Sequence, residues 1–100
     1  MLHIVNKSPL ERNTLDTCIA TAQPDDALIL IEDAVYAANS GNAGAAKLNE
    51  AKSKGFKLYA LQPDLEARGI ADRVIDGVTL VDYEGFVDLV AAESSSQSWL

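Results

Sequence analysis

Five consecutive apolar residues, Ala27-Leu28-Ile29-Leu30-Ile31, stand between the acidic pairs Asp25-Asp26 and Glu32-Asp33. A continuous apolar run of this length suits a strand covered on both faces, as in the middle of a parallel sheet. It is far too short to span a bilayer. A chain that carries such a strand needs a layer of helices above and below it.

The flanking sequence supplies those layers, because strand and helix signals alternate from end to end. Leu2–Val5 reads as the first strand. Ser8-Pro9-Leu10-Glu11 has the form of a capping box with proline at the first helical position. The helix it opens carries Leu15, Cys18, Ile19 and Ala22 as one apolar stripe and must stop by Gln23, before Pro24. After the central run, Asp33 is suited to cap a short helix over Ala34–Ala38. Asn39 to Asn42 reads as a loop, and Ala45 to Ser53 as a polar surface helix.

Lys57–Leu61 is expected to form the third strand, and Pro63–Gly69 a single helical turn closed by its glycine. Val78–Val81 follows as the fourth strand. Asp82 then caps a last helix, Tyr83 to Ala92, for which Phe86, Val87 and Val90 are assigned to the inward side. A polar tail ends in Trp99-Leu100, suited to a short fifth strand. Alternating elements of this kind predict an α/β fold: one domain over residues 1–100, with a small parallel sheet of four to five strands and helices on both faces.

Composition narrows the function. The net charge of −7 disfavours direct contact with a nucleic-acid backbone, which needs clustered cations. No basic segment followed by a long apolar run opens the chain, so a signal peptide is not expected. With one unpaired cysteine, the expected compartment is the cytoplasm. His3 has no second histidine or neighbouring carboxylate in sequence and reads as structural or interfacial rather than as a metal ligand. Neither a metal nor a bound cofactor is expected. Lys7 lies where an anion could sit, but no glycine lets the backbone approach a phosphate. Asp33, Asp64 and Asp82 are read as caps or turn residues.

Two residues remain. Trp99, at a polar terminal position, suits a subunit interface. Cys18 is either a core residue or a nucleophile. A reactive thiol wants a helix N-terminus, a cation or a histidine beside it. Cys18 lies late in its helix, Asp16 has the wrong sign and Arg12 is almost two turns away, so local sequence favours packing.

Several segments, in order along the whole chain, resemble the TusB/DsrH family of sulfur-relay proteins. They are Leu2–Pro9, Leu30–Ala38, Leu58–Gly69, Val81–Leu89 and Gln97–Trp99. The resemblance implies a DsrEFH-like α/β fold working inside a heterohexamer with related C/F-type and D/E-type subunits. Such a complex passes persulfide sulfur from an upstream donor to a downstream acceptor. The Tus branch serves 2-thiouridine formation at the tRNA wobble position, and the Dsr branch serves sulfur oxidation.

The principal sulfur-accepting cysteine of the family usually belongs to the D/E-type subunit, which implies a mainly structural, accessory role for this chain. Cys18 matches a position where DsrH-type members carry cysteine, so the resemblance adds a persulfide-carrying role to its two readings. Two alternatives stand beside this one. The first is a self-associating α/β module that binds a small molecule without sulfur chemistry. The second is a transferase active on its own.

Overall fold

The computed structural model describes residues 1–8, 14–41, 43–93 and 95–99. Five strands form one sheet: β1 (Leu2–Val5), β2 (Ala27–Leu30), β3 (Lys57–Leu61), β4 (Val78–Val81) and β5 (Ser96–Trp99). Their order is β4-β3-β2-β1-β5, and every pairing is parallel. Four α-helices connect them: α1 (Thr14–Thr21), α2 (Ala43–Ser53), α3 (Gln62–Ala67) and α4 (Tyr83–Ala92). A 3₁₀ helix, Glu32–Ala38, and a short one, Ala71–Arg73, complete the connections.

The apolar run behaves as its composition requires. All four residues of β2 are buried, because β2 is the middle strand and both its faces are covered. Leu28 and Leu30 point into the larger core with Val5, Leu58 and Ala60, against Leu15 and Ile19 of α1 and Leu48 of α2. Ala27 and Ile29 point the other way and meet Phe86 and Leu89 of α4. Ile31 lies just beyond the strand, in extended geometry ahead of the 3₁₀ helix.

Handedness explains the unequal layers. The steps β1→β2→β3→β4 all move in one direction across the sheet, so right-handed crossovers put their helices on one face. The step β4→β5 returns to the opposite edge, and its helix α4 lies alone on the other face. Helices on both faces are therefore present, in a ratio the alternation did not reveal.

Several local readings are corrected by the structure. The seven-residue 3₁₀ helix begins at Glu32 rather than after Asp33, and Ile31 at its N-cap position has no side-chain acceptor to offer. The missing cap comes from across the fold, since the Glu32 N–H donates to Asp64 Oδ2 at 2.6 Å. Asp33 instead receives Arg68 Nη2 at 2.9 Å and Nε at 3.1 Å, tying the segment to the end of α3. Helix α2 starts at Ala43, and its Gly44, Ala45, Leu48 and Ala51 are buried. The Ser8–Glu11 capping box falls largely on Pro9–Asn13, outside the described residues.

The register of α4 also differs. Asp82 caps it as expected, accepting from the Gly85 N–H at 2.8 Å. Phe86 and Leu89 face the sheet, whereas Val87 and Val90 are 66% and 42% exposed. The helix is apolar over most of its circumference, so spacing alone does not choose the inward side; the cross-sheet contacts do. Phe86→Ala should lower the unfolding free energy in urea by about 2 kcal/mol, from lost apolar burial. Val87→Ala should change it by less than about 0.5 kcal/mol.

Candidate functional site

The apolar stripe of α1 places Cys18 against the larger core, fully buried beside Leu15 and Ile19. Burial penalises the thiolate, and the negative charge of Asp26 adds to the penalty. The thiol pKa is pushed up to about 12. At neutral pH only about one molecule in 10⁵ would carry the thiolate, the form that attacks a persulfide. Asp16 is directed away and accepts Lys47 Nζ at 2.8 Å; Arg12 lies outside the described residues.

Asp26, from the acidic pair ahead of the apolar run, is a junction in the structure. Its backbone carbonyl accepts from the Lys57 N–H at 3.1 Å, at the start of β3. Its Oδ2 accepts from the Gln23 N–H at 3.0 Å and contacts His3 Nε2 at 2.9 Å, while Oδ1 meets the Met1 amino group at 3.2 Å. Burial works against the carboxylate, but the His3, Gln23 and Met1 hydrogen bonds outweigh it and hold the Asp26 pKa below its ordinary value.

His3 is buried in β1 and bonded on both ring nitrogens. The indole Nε1–H of Trp99 donates to Nδ1 at 3.1 Å. Indole can only donate, so Nδ1 is the acceptor and the ring proton sits on Nε2, facing Asp26. The three side chains form a chain, Trp99→His3→Asp26, that links β5, β1 and the turn before β2. The rings of His3 and Trp99 lie 6.1 Å apart, tilted by 39°.

A cavity of about 450 Å³ opens beside this chain, lined by Met1, His3, Thr21, Gln23, Asp26, Gln97 and Trp99. Most of its polar groups already bond one another, which leaves the amides of Gln23 and Gln97 as the main uncommitted side chains. Sequence reasoning gave His3 no partner because Asp26 is 23 residues away and Trp99 is 96. The available signal was the histidine itself, since a polar side chain in a buried strand calls for hydrogen-bond partners.

The other candidates are dispersed. Lys7 is exposed just past β1, and Asn6 beside it has its Oδ1 buried without a hydrogen bond. Asp33, Asp64 and Asp82 serve as the ion pair and caps described above. Among the described residues, no three His, Cys, Asp or Glu side chains are grouped to hold a metal ion. No helix among them is long and apolar enough to cross a membrane.

Comparison with known proteins assigns the fold and its kin. The family model described as "DsrH like protein" matches residues 7–96. The chain belongs to the TusB/DsrH family. Protein TusB of Pectobacterium parmentieri is 35% identical over 99% of this chain and the whole of that protein. Protein TusB of Serratia proteamaculans is 37% identical over the same share. Among solved structures, the YchN protein of Escherichia coli superposes with a TM-score of 0.78, covering 97% of each chain at 20% identity. A protein of unknown function from Methanobacterium thermoautotrophicum gives 0.70 at 16% identity, covering 97% of this chain and 95% of that one. At such identities these neighbours bear on the fold alone, which is the DsrEFH-like fold the resemblance implied.

Two outcomes follow from the geometry. Below pH 9 the native thiol should react with an aromatic disulfide reagent about a thousandfold more slowly than the urea-unfolded chain, in proportion to the missing thiolate. Because the folded pKa is raised, stability should also fall as pH rises above the unfolded value of 9.0, a slope that Cys18→Ala removes.

For Asp26 the sign is opposite. Its depressed pKa contributes stability above the unfolded value of 3.8, lost as pH falls through the folded pKa. Asp26→Asn should flatten that acid limb in urea titrations followed by the emission of Trp99, the single tryptophan.

Proposed function

We propose that this chain is the mainly structural B/H-type subunit of a heteromeric persulfide-relay sulfurtransferase in the cytoplasm. Its partners are related C/F-type and D/E-type subunits, with the persulfide donor and the sulfur acceptor engaged through the complex. The observation that carries this reading is the full-length similarity to proteins called TusB, at 35% identity over 99% of the chain. Because the relatives bear the TusB name, 2-thiolation of the tRNA wobble uridine is the favoured pathway, ahead of sulfur oxidation. The acidic charge suits a subunit that leaves tRNA contact to others.

Within such a complex Cys18 is assigned to packing. A relay step through it would need the thiolate exposed to a partner's persulfide, and burial with Asp26 beside it opposes both exposure and ionisation. Trp99 is assigned here to an interface as part of the proposal; it lies half-buried on the edge strand β5, packed partly against the larger core of its own chain, with its indole N–H committed to His3. One observation favours the small-molecule-binding alternative, the cavity beside Gln23 and Gln97.

Native mass spectrometry of the chain co-expressed with C/F-type and D/E-type subunits should show a complex containing all three. A monomer that binds neither, or a homo-oligomer retaining a small molecule, would defeat the reading. Incubation of the assembled complex with a persulfide donor should leave Cys18 unmodified.

A further inference from the structure

Helix α4 carries a second apolar stripe that its own fold leaves uncovered. Tyr83, Val87 and Val90 recur at helical spacing and are 60%, 66% and 42% exposed. They are the large apolar side chains that α4 does not use against the sheet, since Phe86 and Leu89 fill that role. Beside the stripe, one turn apart, stand Glu84 and Asp88, both exposed, and α4 contains no cation. Among the described residues, none of the ion pairs involves Glu84, Asp88 or Glu93.

An apolar stripe bordered by unpaired carboxylates sets the chemistry of what covers it. A second copy meeting through the same helix would bring acid against acid. An anionic lipid surface would be repelled. A protein groove with an apolar floor and a rim of lysine or arginine satisfies both features, burying the valines and pairing the acids. We infer that the Tyr83–Val87–Val90 face of α4 docks into such a basic-rimmed apolar groove on a neighbouring relay subunit. The inference rests on the multi-subunit reading above and adds to it the face of this chain that is used.

The test is co-expression with the C/F-type and D/E-type subunits, read by native mass spectrometry, for the wild-type chain and three variants. Val87→Glu should cut incorporation to less than a tenth of wild type. The double substitution Glu84→Lys with Asp88→Lys should also reduce it, by opposing charge at the rim. Glu66→Lys, an exposed charge reversal on α3 at the other face of the sheet, should assemble like wild type. Far-UV circular dichroism and urea midpoints of each isolated variant must match wild type, which the exposure of these positions predicts.

The two readings fail separately. If the wild-type chain does not assemble, the multi-subunit reading is lost. If it assembles and the folded α4 variants assemble equally well, the docking face is not α4. A homodimer of the isolated chain that Val87→Glu dissolves would assign the stripe to a second copy and overturn the inference.

Discussion

A strand with no face left for water constrains everything around it. Ala27–Leu30 can be buried only if neighbours flank it in the sheet and side chains cover it above and below. The parallel pairings of β2 with β1 and β3 meet the first demand, and the two cores meet the second. Right-handed crossovers then decide how the cover is shared. Three connections fall on one face, and only the reversal to β5 supplies the other. The fold is consequently thick on the face that holds Cys18 and thin on the face that α4 covers alone.

The reversal has a second consequence, at the opposite edge of the sheet. Strand β5 pairs with β1 alone, and its residues other than Trp99 are exposed. Its ladder is supplemented by the Trp99 indole, which reaches across to His3 and through it to Asp26. Asp26 in turn holds the segment just after α1 at Gln23 and the start of β3 at Lys57. One carboxylate thus couples the last strand to the first helix and the third strand. Its depressed pKa reflects how many donors converge on it.

What sequence could reveal follows from where each signal resides. The bounds of β1, β3, β4 and α4 are local matters of apolar runs, glycines and the Asp82 cap, and they were readable. The inward side of α4 was not, because Tyr83, Phe86, Val87, Leu89 and Val90 wrap most of the helix and only the sheet selects among them. The cap of the 3₁₀ helix was misplaced for a related reason. Asp33 was the nearest acid in sequence, but Asp64 is the one that folding brings to the Glu32 N–H. At the candidate site, the burial of Cys18 was legible from its apolar stripe. The second cause of its raised pKa was not, since the effect of Asp26 depends on how α1 packs beside the turn before β2.

The same arrangement bears on how sulfur could move through a complex containing this chain. If Cys18 reached a partner's persulfide by the lifting of α1, Leu15 and Ile19 would be exposed along with the thiol. Each fully buried side chain of that kind contributes about 1.5–3 kcal/mol. Their sum is a large share of the roughly 5–15 kcal/mol that holds a domain of ordinary size together. Ionising the thiol against burial and Asp26 adds to that cost. A subunit that had to pay both at every turnover would be a poor carrier, whereas a subunit that keeps α1 closed and presents α4 outward can serve assembly continuously. The physical separation of the buried thiol from the exposed apolar helix suits the proposed division of labour, in which this chain organises the relay and a partner's cysteine carries the sulfur.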